Sequence, residues 1–322
     1  MSTLSLSRES ISNAFYKYGL YITLAVLVLV FSLLNSNFFN PANVVNLLQQ
    51  TASTGIAAAG LVFVMVAGGI DVSMGSTIFL SSVVTATFAN QGVGLVGSFA
   101  VAMACGMAVG VFNAFFIAIL KMVPLIVTLA TLFIVRGLAL AMTGVQSVFF
   151  FNDVADSVAY TRIGGVIPVV VIILVIALLA IQLILSRTLF GRQLFAMGHN
   201  RRAARVMGIK VTRNTFIAYV VAGGMAGLAG LVSGAQVGAI TPTFAEGQEF
   251  IIITATILGG VSLFGGKGSA FPGAFLGVLI VMAIENGLVM AGANVYSYGV
   301  IRGAVIFIAV MLDCLRNTGE TR

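Results

Sequence analysis

Long apolar runs separated by short polar segments occupy almost the whole chain. A helix needs roughly 20 apolar residues to cross the hydrocarbon core of a membrane. By that rule the pattern predicts about ten membrane spans, and the third and eighth runs are flanked by glycine-rich turns typical of broken or re-entrant helices. The spans lie at about Leu20–Leu34, Ala52–Ala67, Val72–Ala89, Val93–Leu120, Val123–Met142, Val166–Leu185, Thr215–Val237, Phe250–Leu263, Ala270–Met290 and Tyr298–Cys314.

Composition supports the same class of protein. The 322 residues are 60% hydrophobic and 8% charged, and no soluble domain of this size can bury so much apolar surface. The fold class is therefore an all-α polytopic membrane protein, with one membrane domain over residues 1–322. Cys105 and Cys314 fall in apolar spans and are interpreted as small buried residues, not as a disulfide. No small-residue cleavage site follows the polar start of the chain, which indicates an uncleaved first span.

The basic residues predict how the chain is oriented. Seven of the sixteen Lys and Arg residues lie in residues 187–213, hereafter the basic loop. With the N-terminus in the cytoplasm, thirteen basic residues fall on the inner side and only Arg162 on the outer side. Short loops rich in Lys and Arg stay in the cytoplasm, so both termini are predicted to be cytoplasmic. The net charge of +7 then reflects topology and gives no reason to expect nucleic-acid binding.

Within the basic loop, Asn200–Met207 lacks Gly and Pro and is predicted to form a short helix, with Gly198 and Gly208 at its two ends. The predicted outer segments carry the acidic residues Asp153, Asp156, Glu246 and Glu249.

Two pairs of short segments resemble each other five spans apart. FNAFFIA with Asn113 and IVRGLALAM with Arg136 are echoed by ENGLVMA with Asn286 and VIRGAVIFI with Arg302. An offset of five spans reverses orientation, so the pattern is compatible with an inverted repeat. Transporters built from such repeats place their pathway at the repeat interface.

Arg136, Glu285 and Arg302 are charges predicted to lie inside the membrane, where each needs a partner or water. They either line a polar pathway or pair with each other, or with Asn113 and Asn286, to lock helices together. No series of acidic and His residues suits a proton relay, which disfavours an ion-coupled carrier.

The GGIDVSMGS stretch is the most distinctive short motif. Asp71 and Ser73 are placed to cap the following helix, and Gly68, Gly69 and Gly75 permit the turn, so a helix start at a membrane surface is predicted. A second glycine-rich stretch, Gly265–Ser269, lacks the Gly-Lys-Ser order of a phosphate-binding loop because Gly268 intervenes.

Other patterns predict structure without chemistry. Glycines spaced near four apart favour close helix packing; they are Gly223, Gly227, Gly230, Gly273 and Gly277. Neither a metal-ligand cluster nor a nucleophile with a nearby base is present in the pattern, so the chain is not expected to be an enzyme.

Several motifs together resemble the permease subunit of bacterial ABC sugar importers of the ribose, xylose, arabinose and galactose type. They are SNFFNPANVVNLLQQT, GGIDVSMGS, PLIVTLATLFIVRG, FGRQLFAMGHNRRAARVMGI, LGGVSLFGGKGS and IENGLVMAG. The resemblance implies a type II importer-like permease in the bacterial inner membrane, paired with a second permease copy that is identical or different. It also implies a periplasmic sugar-binding protein outside, and cytoplasmic ATPase subunits inside that bind ATP and Mg²⁺, with no cofactor on this chain.

The resemblance further assigns a coupling helix, which seats in the ATPase, to the basic loop. Its residues are Gly198, Asn200, Arg201, Arg202, Ala203, Ala204, Arg205 and Gly208. His199, Arg201 and Arg202 stand where family members often have small or acidic residues, which favours a more acidic groove on the partner.

The function predicted on this basis is translocation of a monosaccharide, a ribose-like pentose or a hexose. Asn113, Asn286 and Tyr298 are the predicted polar lining of its route. The alternatives are a permease of the same fold for a furanose signal molecule or a nucleoside, and an ion-coupled secondary carrier.

Overall fold

The structure is a computed structural model that describes residues 8–294, with side chains from residue 18, and the positions 299–301, 303, 304, 307 and 311. The predicted tenth span therefore cannot be compared as a whole, and Tyr298, Arg302 and Cys314 lie outside the described residues.

The described chain is mostly helical. Its twelve α-helices, numbered α1 to α12 in chain order, are Arg8–Leu34, Pro41–Val66, Met74–Asn90, Leu95–Ala114, Pro124–Thr143, Asp153–Ala159, Val169–Arg187, Leu189–His199, Arg201–Val206, Val211–Val237, Gln248–Leu258 and Phe275–Met290. Two π-helical turns, Phe115–Ile119 and Ala270–Ala274, extend α4 and precede α12.

Four two-residue strands form two small antiparallel pairs. They are β1 at Val148–Phe149, β2 at Arg162–Ile163, β3 at Ile167–Pro168 and β4 at Ala239–Ile240. Strand β1 pairs with β4, and β2 pairs with β3.

Local sequence explains where several helices begin and end. Asn40 accepts a hydrogen bond from the Ala42 N–H at the start of α2, and Pro41 occupies the first helical position. Pro124 likewise starts α5, which ends at Gly144 in the left-handed conformation. Gly238 ends α10 in the same way.

The centre of the bundle consists of α2, α3 and α10, most of whose residues are buried. By contrast, α5 and α7 bury one side and expose large apolar side chains such as Phe133 and Ile176 on the other. An apolar outer surface around a packed interior is what a lipid environment favours.

Glycines allow α10 to lie directly on α4. A Cβ on Gly223 would overlap the Gly106 carbonyl oxygen, and a Cβ on Gly106 would overlap that of Gly223. Gly227 meets the Ala102 backbone in the same manner. The predicted packing role of the spaced glycines is confirmed, because Gly230, Gly273 and Gly277 also face neighbouring backbone.

The predicted count of ten spans is not confirmed. Six helices of the described chain are long and apolar enough to cross a membrane. They are Pro41–Val66, Leu95–Ile119, Pro124–Thr143, Val169–Arg187, Val211–Val237 and Ala270–Met290.

The third and eighth predicted spans contain short helices. Helix α3 has 17 residues and α11 has 11, so at 1.5 Å per residue they reach roughly 25 Å and 17 Å, against about 30 Å of hydrocarbon. Each adjoins a non-helical connector: residues 67–73 precede α3, and residues 259–269 follow α11.

Candidate functional site

The basic loop contains the predicted short helix. Helix α9 spans Arg201–Val206, and the side chain of Asn200 caps it by accepting hydrogen bonds from the N–H groups of Arg202 and Ala203. Gly208 follows with a positive φ of 81°, a conformation that favours glycine. The predicted helix and its Gly208 end are confirmed.

Gly198 has a different place from the one predicted. It lies inside the last turn of α8, which continues to His199, so the helix break falls at Asn200. A Cβ at Gly198 would overlap the Val66 carbonyl oxygen and the Gly266 nitrogen. Glycine is therefore required here by close backbone approach and not by a turn.

Four glycines from three segments meet at this point, hereafter the glycine junction: Gly68, Gly198, Gly265 and Gly266. A Cβ on Gly265 would lie 2.8 Å from the Gly68 Cα and 3.0 Å from the Gly198 Cα. The Gly266 N–H donates to the Val66 carbonyl oxygen at 2.9 Å. The junction thus joins the α8–α9 corner to both non-helical connectors.

Arg201 strengthens the same connection. Its Nη2 donates to the carbonyl oxygens of Ala67 at 3.1 Å and Gly68 at 3.3 Å. These carbonyls follow the end of α2, where a helix leaves its last acceptors unsatisfied and favours positive charge. The Arg201 side chain therefore binds backbone carbonyls of its own chain.

The rest of α9 presents a mixed basic and apolar face. Arg202, Ala203 and Arg205 are exposed, while Ala204 is buried against the bundle. The large apolar side chains of Val206 and Met207 are 84% and 81% exposed. The sequence analysis singled out the arginines and missed these two residues. An apolar pair at the end of a polar helix is the sequence pattern that could have indicated them.

The GGIDVSMGS motif forms a buried polar network instead of a side-chain cap. Ser73 makes no capping bond to α3, because its Oγ donates to Asp71 Oδ1 at 2.6 Å. The Ser73 N–H also donates to Asp71 Oδ1, at 2.9 Å. The prediction that Ser73 caps α3 with its side chain is wrong, and Asp71 is only 2% exposed.

Asn113 of α4 completes the network. Its Nδ2 donates to Ser73 Oγ at 2.9 Å, and its Oδ1 accepts from Thr131 Oγ1 of α5 at 2.6 Å. Asn113 is fully buried, and it ties α4 and α5 to the connector before α3. The pathway role of Asn113 stays a prediction, whereas these contacts are those of a helix lock.

Loss of one partner in this network is expected to destabilise the protein. Thr131→Val keeps the shape of the side chain but leaves the Asn113 carbonyl oxygen unsatisfied, at about 1–3 kcal/mol. Thermal denaturation of the purified protein in detergent measures the effect as a lower Tm.

Thr128→Val is the matched control on the same helix. The hydroxyl of Thr128 is buried but bonds back to Pro124 O of its own helix, so its removal is expected to change Tm much less. Equal losses for the two variants would contradict an interhelical role for Thr131.

Arg136 and Asn286 each have identifiable partners. Arg136 Nη2 donates to the Phe244 carbonyl oxygen at 3.4 Å, and its guanidinium lies 5.3 Å from the centre of the Phe79 ring. Asn286 is buried and accepts from Asn43 Nδ2 at 3.0 Å, which links α12 to α2. The predicted pairing of both with Arg302 lies outside the described residues.

Glu249 was predicted to belong to an outer loop, and this is wrong. It lies in the first turn of α11, is 6% exposed, and packs its carboxylate against Gly75 at the start of α3. A Cβ at Gly75 would overlap Glu249 Oε2. Gly75 is therefore small because a carboxylate from another short helix occupies the space.

Glu285 faces a different environment. It helps to line a cavity of about 570 Å³ between α2, α10, α11 and α12, together with four glutamines. No group of three or more His, Cys, Asp or Glu residues in the described part of the chain could hold a metal ion.

A bundle of apolar helices of membrane-spanning length, with buried polar groups and one exposed basic helix, defines a multi-pass membrane protein. The chain belongs to the family described as "Branched-chain amino acid transport system / permease component", whose profile matches residues 43–310.

Curated relatives are similar over nearly the full length. The ribose import permease protein of Bacillus subtilis (strain 168) is 37% identical over 301 residues, 92% of this chain and 92% of the relative. The D-allose transport system permease protein of Escherichia coli (strain K12) is 34% identical, covering 93% and 92%. The L-arabinose transport system permease protein of the same strain is 32% identical, covering 95% and 93%.

These relatives confirm the resemblance to sugar import permeases that the motifs indicated. No solved structure matches the chain significantly.

Proposed function

We propose that this chain is the permease subunit of an ABC importer that translocates a monosaccharide, a pentose or a hexose, across the bacterial inner membrane. The observation that carries the proposal is the similarity, over more than 90% of the chain, to import permeases named for ribose, D-allose and L-arabinose. The membrane-length helices and the family of permease components support it.

The basic loop is the proposed docking site for the ATPase subunit, with α9 as the coupling helix. The exposed Arg202 and Arg205 suit an acidic groove, and the exposed Val206 and Met207 suit an apolar one, which together favour a protein partner. ATP and Mg²⁺ are bound by that partner, so the chain itself is a translocation subunit without catalysis. In this arrangement the basic loop and both termini are cytoplasmic.

The opposite end carries the proposed contact with the sugar-binding protein. Asp153 and Asp156 are exposed on α6 and border a shallow cavity of about 530 Å³. This segment is predicted to lie on the outer side, where a soluble partner could reach it. Its acidic surface suits a partner with basic residues. The exposed apolar faces of α5 and α7 contact lipid or a second permease copy.

Coupling follows from the contacts of α9. Closure of the ATPase pair displaces α9, and the glycine junction and Arg201 transmit that displacement to the connectors before α3 and after α11. These connectors are the non-helical segments of the bundle core, so they change conformation at lower cost than the long helices. The sugar passes through chemically unchanged.

Reconstitution tests the proposal directly. The chain is purified with its ATPase and sugar-binding protein and placed in proteoliposomes, and uptake of labelled D-ribose, D-allose and L-arabinose is measured. ATP-dependent uptake of at least one sugar is expected. Omission of the ATPase is expected to abolish it, and uptake without the ATPase would instead identify a self-sufficient carrier.

A further inference from the structure

A polar cavity of about 570 Å³ opens between α2, α10, α11 and α12, beside the end of α6. It is named here the glutamine cavity, after the residues that carry its chemistry: Asn46, Gln49, Gln50, Gln236, Gln248 and Glu285. Sites for small molecules commonly have volumes of about 300–1,000 Å³. The cavity therefore has room for a monosaccharide.

Helical periodicity places the α2 residues together. Asn46, Gln49 and Gln50 are three and four positions apart, so they share one face of α2. On the same face, one turn further on, Thr54 also lines the cavity. A single helix face thus supplies three carboxamides in succession.

The remaining carboxamides come from α10 and α11. Gln236 Nε2 donates to the backbone carbonyl oxygen of Gln49 at 2.9 Å. This bond fixes the Gln236 carboxamide and orients it beside α2. Gln248 Oε1 is buried, and it has no hydrogen-bond partner among the described residues. A buried acceptor without a partner is costly, and rotation of the Gln248 carboxamide, which lines the cavity, would let a ligand hydroxyl satisfy it.

The chemistry of the lining favours a neutral polyol. A carboxamide offers both donors and acceptors, as does each sugar hydroxyl. A solute that sheds its water needs such replacement bonds. The charged residues of the lining are one carboxylate, Glu285, and one guanidinium, Arg162, which selects neither for anions nor for cations.

The polar side chains of the buried network around Asp71 already bond to one another. Asn113 and Thr131 bond to each other there and are fully buried. Neither residue lines the glutamine cavity.

We propose that the glutamine cavity is a monosaccharide-binding site of the permease itself, in which the carboxamides of Gln49, Gln50 and Gln248 bond to sugar hydroxyls. The inference rests on the proposed function and deepens it, since it gives the permease its own contribution to selecting a polyhydroxyl solute.

Protection from a thiol reagent tests the site. In a Cys105→Ser/Cys314→Ser background, Gln50→Cys places a thiol in the cavity, and Asn37→Cys places one at an exposed position outside it. The permease–ATPase complex in proteoliposomes is treated with a membrane-impermeant maleimide, with and without D-ribose, D-allose or L-arabinose. The binding protein is left out, so that only sugar can shield the thiol.

The sugar that the wild-type complex imports is expected to slow labelling of Gln50→Cys and to leave Asn37→Cys unchanged. In parallel, Gln248→Leu is expected to lower uptake by roughly three- to tenfold, the effect of one lost hydrogen bond. ATP hydrolysis stimulated by the binding protein is expected to stay near the wild-type rate, and Gln248→Asn to recover part of the uptake.

Two outcomes overturn the inference alone: labelling indifferent to a sugar that the wild-type complex imports, or uptake and ATP hydrolysis that fall together in Gln248→Leu. Failure of the wild-type complex to import any of the three sugars would instead overturn the proposed function, and this inference with it.

Discussion

Replacement of Gly223 by valine is expected to prevent α10 from packing on α4 and to abolish recovery of folded protein. The Cβ of a side chain at this position overlaps the Gly106 carbonyl oxygen and lies 2.9 Å from the Gly110 Cα. These obstacles are backbone atoms, which cannot move aside as a flexible side chain could. Excess volume in a packed interior costs about 1–3 kcal/mol, and more where the backbone must shift.

Size-exclusion chromatography and thermal denaturation in detergent measure the effect. Gly137→Val is the matched control, because Gly137 lies in α5 and a Cβ there has nothing within 4 Å. We expect the control to elute as a single species with a Tm close to that of the wild type. Similar behaviour of the two variants would show that the crossing of α4 and α10 is not held by its glycines.

Reversal of charge on the exposed face of α9 is expected to have the largest effect on transport. In Arg202→Glu/Arg205→Glu, two basic residues that face solvent become acidic, and an acidic groove on the ATPase would repel them. Reversal at a docking surface costs several kcal/mol, which corresponds to a loss of association of at least about a hundredfold. Arg201 is left intact because it bonds to Ala67 and Gly68 within the chain.

Copurification of the ATPase and ATP-driven uptake are the two measurements. Arg187→Glu/Arg192→Glu is the charge-matched control, since both residues are exposed in the same basic loop but lie outside α9. Normal uptake by the α9 variant would refute the docking assignment. Equal losses of copurification and uptake in both variants would show that only the total charge of the basic loop matters, and not the position of α9.

Sequence reasoning succeeded where a single local rule decides the outcome. Apolar runs of sufficient length gave the long helices, and glycines at spacings near four marked close contacts such as that of Gly223. The helix within the basic loop followed from its composition. The helices depend on neighbours along the chain, and the glycine spacing marks a contact surface without naming its partner.

The errors arose where distant segments decide. Glu249 resembles a loop residue because Gly247 precedes it, yet it is buried against Gly75, which lies more than 170 residues earlier in the chain. The Asp71 motif resembles a helix cap, but Ser73 bonds to Asp71, and Asn113 of α4 donates to the Ser73 hydroxyl within an interior network. The apolar run that contains α11 is longer than the helix itself. Its hydrophobic pattern does not show where the helix ends and the non-helical connector begins.

The glycine junction has a mechanical consequence. Gly68, Gly198 and Gly265 touch through backbone atoms, which cannot move aside as a flexible side chain could, so a shift of the α8–α9 corner would displace both connectors. On the proposed coupling route, a displacement at the basic loop would therefore reach the connector before α3 and the connector after α11 together.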